Sequence, residues 1–445
     1  MSAPTIFKAY DIRGLYGLDL TNAIAHDIGR AFATFLGGHK KTIVVGRDCR
    51  PHSEPLFIHL SNGLLEQGFN VVDLGYASTP MTYHAAGKLR ADGSVMITAS
   101  HNSAPWNGFK LCRENVIPVS GATGIDKIEK IIREKSFAPK PETRGTLATR
   151  DILADYAAFV HTFPRPSKKL RVAIDFANGM GILEAKTLAN LLDIDPLFDT
   201  LDGTFPNHEA DPMHAENLSP LREKMRAGDY AFGAMFDGDA DRVRFLDERG
   251  EPIPMDLITA FIAQEILATQ QGAILYDLRS SWAVPETIRA CGGTPQMCRV
   301  GHSFIKQQMR EVNALFAGEL SGHYYFKANF TTESSALALL AVANIVARAG
   351  TPLSRLVEPL RRYFASGEIN SRVNRDPSEI FDEIRAAHAT AQLLELDGIR
   401  AEYPDWWFSV RSSNTEPVVR LNLEAKTKEI MEARRDELLK LIRKE

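Results

Sequence analysis
The chain has 445 residues, 44% of them hydrophobic and 24% charged, so it outgrows the roughly 250–300 residues one core can organise and several domains are expected. Lys and Arg total 52 against 56 Asp and Glu, a net charge of −4, which leaves no electrostatic footprint for nucleic acid or an anionic membrane. The four cysteines (Cys49, Cys112, Cys291 and Cys298) form no CxxC pair and suit a reducing compartment rather than a disulfide scaffold. Residues 1–7 lack the charged-then-apolar pattern of a signal peptide, and a cytoplasmic location is expected. The longest apolar run, 336–347, is broken by Asn344 and falls short of the roughly 18 residues of a membrane span, so it reads as a buried helix.

In chain order, Ile24, Ile28, Phe32, Phe35 and Leu36 keep helical spacing, and Gly37 and Gly38 end that helix. A β-branched strand follows at 42–45, a helix at 51–67, a strand at 70–74, a helix at 80–90 and a strand at 94–98. The alternation predicts an α/β layer with a substantially parallel sheet. A polar stretch at 138–143 is a linker candidate. A second block has a strand at 171–175, a turn at 178–181 leading into a helix through Leu192, and strands at 231–236 and 243–247. A third has a helix to about Thr269, a strand at 273–276, and helices at 283–289 and 304–312. From Gly367 the pattern changes to a helix at 377–393, a strand-rich segment and a charged helix at 426–444, a separate α+β domain.

Four segments carry chemistry. An apolar strand ends in Thr98, Ala99, Ser100, His101 and Asn102, and a loop returns through Asn107, Gly108, Phe109 and Lys110; strand ends are where α/β sheets bind ligands. Ser100 lies in no G-x-S-x-G elbow, which disfavours a serine hydrolase. Asp237, Asp239 and Asp241 alternate between two apolar strands, a mutual repulsion that a hard divalent cation (magnesium, calcium or manganese) relieves. An EF-hand is disfavoured because Arg242 stands where its turn needs glycine. Glu319, Ser321 and His323 lie between and beside Gly318 and Gly322, a set suited to vicinal sugar hydroxyls. Arg411, Ser413, Asn414 and Thr415, with Arg420 nearby, can cradle an anion. An ordinary polar turn is the competing reading of each segment alone.

Together with Tyr10 and Arg13 in the segment 9–14, and in this order, the four segments resemble the α-D-phosphohexomutase superfamily, closest to the phosphomannomutase/phosphoglucomutase branch. The resemblance implies four domains around a central cleft, three with a shared mixed α/β core and a C-terminal α+β domain of TATA-binding-protein-like fold. It implies a phosphoserine domain at 1–147, a metal-binding domain at 148–250, a sugar-binding domain at 251–366 and a phosphate-binding domain at 367–445, with a hinge near Ser366 and Gly367. Ser100 then matches the phosphoserine, and it joins Asp237, Asp239 and Asp241 as the ligands of Mg2+. Glu319, Ser321 and His323 match the sugar-reading loop. Arg411, Ser413, Asn414 and Thr415 match the clamp on the phosphate that is not reacting. Tyr10, Arg13, Lys110, Arg242 and His302 match cleft residues, and Arg279 stands where some members have Lys. His323 is the implied base, with Arg13 and Lys110 as charge stabilisers. The implied reaction interconverts hexose 1- and 6-phosphates of mannose and also glucose, with a hexose 1,6-bisphosphate as intermediate and activator. Small-molecule sugar phosphates are the partners expected. A phosphoglucosamine mutase and a non-catalytic sugar-phosphate-binding protein are the alternatives. A haloacid-dehalogenase-like site at Asp237 is disfavoured because Asp241 stands where that family has Thr or Val.

Overall fold
The computed structural model describes residues 6–38, 40–412 and 418–444. Its strands form four separate sheets. The first contains β1 (Ile12–Leu15), β2 (Thr42–Arg47), β3 (Asn70–Tyr76), β4 (Gly93–Ile97), β5 (Trp106–Arg113), β6 (Ile117–Pro118) and β7 (Leu147–Thr149). Their order is β1-β5-β4-β2-β3-β7, with β6 on β5. β2 and β4 lie parallel at its centre and are almost wholly buried, as strands covered by helices on both faces must be. The segment from Asn107 to Lys110, expected as a loop, is the start of β5, which runs antiparallel between β1 and β4. The hairpin back from Ser100 makes that possible. It sets Lys110 opposite Met96 in β4, near the strand end that carries Ser100.

The second sheet orders β8 (Leu170–Asp175), β9 (Leu192–Leu197), β10 (Phe232–Phe236) and β11 (Val243–Leu246) as β11-β10-β8-β9. The helix expected to run to Leu192 stops at Lys186. Leu188 and Leu192 are still buried, but in a turn and at the start of β9; apolar spacing cannot separate these cases. The third sheet orders β12 (Ala273–Asp277), β13 (Thr294–Cys298), β14 (Phe316–Gly318), β15 (Tyr324–Phe326) and β16 (Thr332–Glu333) as β13-β12-β14-β15-β16. Each of these three sheets joins parallel strands to an antiparallel edge, the expected mixed α/β core.

The fourth sheet is wholly antiparallel, in the order β17-β21-β20-β19-β18. It comprises β17 (Phe364–Arg372), β18 (Gln392–Leu394), β19 (Ile399–Glu402), β20 (Trp406–Ser412) and β21 (Val418–Ala425). Helices Pro377–Ala387 and Lys428–Ile442 complete the expected α+β unit, the first ending six residues before the expected 393. Ser366 and Gly367 are not a linker; they form a bulge inside β17, with Gly367 at φ +68°.

One apolar cluster runs from Met81 and Val116 through Phe232 and Ile258 to Leu339, so the first three units share a core. The fourth has its own, built on Ile380, Phe408, Leu421 and Leu438. Among the described residues no single helix is long and apolar enough to cross a membrane, and Ser335–Ala349 is almost fully buried in the shared core.

Candidate active site
Ser100 sits just past β4 in the left-handed region, at φ +53°, and is 2% exposed. Its N–H donates to Thr98 Oγ1 at 2.8 Å and its hydroxyl donates to Asp237 Oδ2 at 2.9 Å. The turn from Asp237 to Arg242 comes from the second unit, between β10 and β11. Gly238 is required there: a Cβ would stand 2.5 Å from the Ser100 carbonyl oxygen.

Asp237, Asp239 and Asp241 are buried, each with a carboxylate oxygen within 4.8 Å of the others, so the cluster could hold a metal ion. Lys110 Nζ donates to Asp239 at 2.7 Å and also to Asp241. Asp239 Oδ1 is buried with no hydrogen-bond partner among the described residues, and Asp241 Oδ1 faces His323 Nε2. Burial pushes the Asp237 carboxyl well up, and the neighbouring Asp241 and Asp239 charges add to that. Burial also opposes ionisation of Asp241, but Lys110, His323 and Arg242 together hold it well below the usual carboxylate range.

The third unit closes over this loop. Val243 N–H donates to the Gly322 carbonyl at 3.1 Å, in the turn between β14 and β15. His323 Nε2 lies 3.3 Å from both Asp241 Oδ1 and Arg242 Nε, and its Nδ1 is 3.0 Å from Glu319 Oε2 and 2.8 Å from Ser321 Oγ. Burial opposes charging of the ring, but Asp241 and Glu319 push His323 up to about 9. Glu319 is held well below the usual range: burial raises it, and His323, Arg279 and Arg242 outweigh burial. Arg13, on β1, donates to Asn102 Oδ1 at 2.7 Å and to Asp11.

Beyond Glu319 the contacts continue into the fourth unit. Arg279 is gripped by Asp277 (2.8 Å) and lies 3.6 Å from Glu319 and 3.4 Å from Glu368. Arg411 and Arg420 face each other across β20 and β21, a like-charge pairing that is unfavourable by itself. Glu368 on β17 offsets it, accepting from each at 3.2 Å. Tyr10 and His302 stand together at one flank, with ring centroids 6.0 Å apart. His302 is lowered well below the usual imidazole value by burial and by Lys306 and Lys110, so it stays neutral. Ser413, Asn414 and Thr415 lie outside the described residues.

The structure thus links Ser100, the three aspartates, Lys110, Arg242, His323, Ser321, Glu319, Arg279, Arg411 and Arg420 through successive contacts. The sequence reading missed the supports. Thr79 donates its hydroxyl to Asp239 Oδ2 at 2.6 Å and its N–H to the Asp239 carbonyl at 3.0 Å. Asp277 accepts from the Leu320 N–H at 2.7 Å as well as from Arg279. Glu368 and Arg50 were also missed. A polar group at the end of a buried strand, or within three residues past it, was the available signal for Asp277 and Arg50, as it was for Ser100.

Four α/β and α+β units around a cleft of this composition define a phosphohexomutase. The chain belongs to the phosphoglucomutase/phosphomannomutase family: its models for α/β/α domains I, II and III and the C-terminal domain match residues 4–139, 153–250, 254–363 and 368–441. The class is one of isomerases. A phosphomannomutase of Escherichia coli is 37% identical over 459 residues, covering 100% of both chains. One from Methanocaldococcus jannaschii is 38% identical, covering 99% of this chain and 98% of its own. The crystal structure of a phosphoglucomutase/phosphomannomutase family protein from Burkholderia thailandensis superposes with a TM-score of 0.91 at 33% identity, over 99% of this chain and 98% of that one.

Proposed function
We propose that the chain interconverts hexose 1-phosphates and 6-phosphates, acting on mannose and also glucose phosphates, with Ser100 as the phosphoryl carrier. The observation that carries this reading is the Ser100 hydroxyl 2.9 Å from Asp237 in a buried three-carboxylate cluster. The donors around it are all hard oxygens, with Asp239 Oδ1 buried and unpartnered among the described residues and Asp241 Oδ1 facing only the His323 ring, and that set fits Mg2+. Asp237, Asp239, Asp241 and a phosphoserine oxygen would hold it; when bound, it offsets charge on the transferring phosphoryl group.

The residues of the chain do the rest. Phosphoryl transfer is mostly positioning and charge stabilisation. The P–O bond to Ser100 Oγ breaks, a bond forms from phosphorus to the free hydroxyl oxygen of the sugar phosphate, and that hydroxyl's proton goes to His323 Nε2; Ser100 Oγ leaves with the electron pair of the broken bond and takes up a proton in turn, ending as the hydroxyl that donates to Asp237 Oδ2. Glu319 orients the imidazole by accepting from Nδ1–H, which leaves Nε2 as the acceptor. A base raised to about 9 is too protonated at neutral pH. A cation held by Asp241 would offset the charge that raises the ring most, leaving His323 Nε2 able to accept. Lys110, Arg13 and Arg242 stabilise phosphoryl charge. Glu319 and Ser321 read the sugar hydroxyls, with Tyr10, His302 and Arg279 lining the cleft. Arg411, Arg420, Ser413, Asn414 and Thr415 clamp the phosphate that is not reacting. The resulting hexose 1,6-bisphosphate, also the activator, turns over in the cleft and returns its other phosphate to Ser100.

The clamp closes as a hinged unit, a motion supported by its separate core and polar attachment. The units divide near 147, 250 and 366, with β7 extending the first sheet to Thr149 and β17 carrying the fourth back to Phe364. Buried unpaired Cys49, Cys112 and Cys298 support a cytoplasmic setting. A coupled assay of the three hexose 1-phosphates, each primed with its bisphosphate, tests the substrate assignment. Mannose 1-phosphate should turn over well, with glucose 1-phosphate comparable or slower. Glucosamine 1-phosphate faster than both overturns it.

A further inference from the structure
Arg50 lies just past the end of β2, which runs parallel to β4 at the centre of the first sheet. Its side chain has 0% exposure, unusual for a guanidinium. Nε donates to Asp48 Oδ2 at 3.0 Å. Nη2 donates to the carbonyls of Ser100 at 3.0 Å and Asn102 at 2.6 Å. Nη1 donates to those of Ser103 at 2.8 Å and Trp106 at 3.1 Å, with Ala104 at 3.4 Å. All five N–H groups are engaged, four of them on the main chain of one loop, and the Phe205 ring lies 4.8 Å from the guanidinium carbon.

Residues 100–105 form neither helix nor strand. Their carbonyls would ordinarily turn to water, and a loop hydrated in that way samples several shapes. Here the carbonyls converge on one planar donor, which permits one shape. Ser100 itself is held in the left-handed region, a conformation that costs a non-glycine residue about 1–2 kcal/mol and persists only where its surroundings impose it. Its N–H is fixed by Thr98 and its carbonyl by Arg50, so the hydroxyl retains little freedom besides rotation about χ1.

We propose that Arg50 is a positioning residue for phosphoryl transfer: it gathers the carbonyls of residues 100–106 and so sets the place of Ser100 Oγ against Asp237. The inference rests on Ser100 being the carrier. It explains why a full charge is buried here. A fork of five directed donors suits four converging carbonyls, and an ammonium with three does not. It also predicts an effect on the chemical step without one on substrate affinity, since the phosphate-binding arginines belong to another unit.

The test compares Arg50→Lys, Arg50→Met and the milder Asp48→Asn with Ser100→Ala, all in the full chain. Folding is checked by thermal melting. The readouts are kcat, KM for hexose 1-phosphate, and the rate at which glucose 1,6-bisphosphate phosphorylates Ser100. Arg50→Lys is expected to lower kcat and the phosphorylation rate together by about tenfold to a hundredfold, with KM changed less than about threefold. Asp48→Asn, which loosens the guanidinium without removing it, should do the same more weakly, and it decides the matter if both Arg50 variants fail to fold. Folded variants with wild-type kcat, or with KM rising as kcat falls, overturn the positioning role. If Ser100→Ala keeps a tenth of the activity, the carrier reading falls instead. An inactive Ser100→Ala beside fully active Arg50 variants refutes the role of Arg50 alone.

Discussion

Around Ser100, carboxylates and main-chain carbonyls are held by buried donors from two units and capped by a third, whereas around Arg411 three guanidiniums share one carboxylate on the edge strand of the fourth unit. The first region sits on an apolar core common to three units. The second is joined to the third unit by polar contacts: Trp282 to Glu424 and Glu402, and Arg400 to the Leu278 carbonyl. A cavity of about 550 Å³, lined by Trp282, Met297, Arg400 and Tyr403 among others, lies at that junction. On the proposed function, the difference follows from what each end would have to do. Bond-making tolerates little displacement, so its groups are cross-linked and desolvated. A phosphate handle must be caught in two orientations and released, so exchangeable ion pairs on a separately cored unit serve it better.

The comparison breaks first at Ser100. Ser100→Ala is expected to lower kcat at least about a thousandfold while the chain stays folded, since transfer through a carrier has no substitute at that position. A variant keeping a tenth of wild-type turnover contradicts this. Chelation comes next: it should abolish activity and shift the thermal midpoint by only a few degrees, because the aspartates lie at a cleft on an already formed core. Full activity after exhaustive chelation removes the metal role.

At the other end, Arg411→Ala loses charge-assisted bonds worth roughly 1.5–3 kcal/mol, so KM for hexose 1-phosphate should rise about tenfold to a hundredfold. Escape of bisphosphate into solution should increase as well. Scattering from the wild type should report a more compact particle with sugar phosphate than without. An unchanged KM together with identical scattering in both states ends the clamp reading.

The smallest expected effect concerns the junction behind the aspartate loop. Glu184 is fully buried; Ser78 and Tyr156 donate to it, and Tyr156 also contacts Ser334 at 2.9 Å, so three units meet there. Burial pushes its carboxyl up to about 7, against the partial pull of those hydroxyls. The folded value lies above the unfolded 4.5, so the protonated group's contribution is complete below that value and is lost as pH rises through about 7. Glu184→Gln should therefore gain melting temperature relative to wild type as pH goes from about 5 to 8, by about a few degrees. A difference between the two that is flat across this range contradicts the assignment.

The site was legible where chemistry is contiguous. Ser100, the alternating aspartates and the Glu319–His323 segment each carry their groups within a few residues at a strand end, and the order of the segments identified the family. The supports were not legible, because they are made by topology. Arg50 reaches the Ser100 loop only because β2 and β4 are parallel neighbours ending on the same side. Thr79 meets Asp239 across 160 residues, and Glu368 gains its role from a bulge in β17. In the fold, the α/β rhythm was readable from strand and helix periods. The early end at Lys186 and the conversion of the 107–110 return into β5 were not, since buried turns and central strands share the same apolar and glycine signals with helices and loops.

The most direct measurement is intact and peptide mass after brief incubation of the chain with glucose 1,6-bisphosphate and Mg2+. The expected result is one added phosphoryl group, located on Ser100, stable to hydroxylamine and absent from Ser100→Ala. A phosphoryl group on Asp237, one that hydroxylamine removes, or none on an active enzyme would contradict the account.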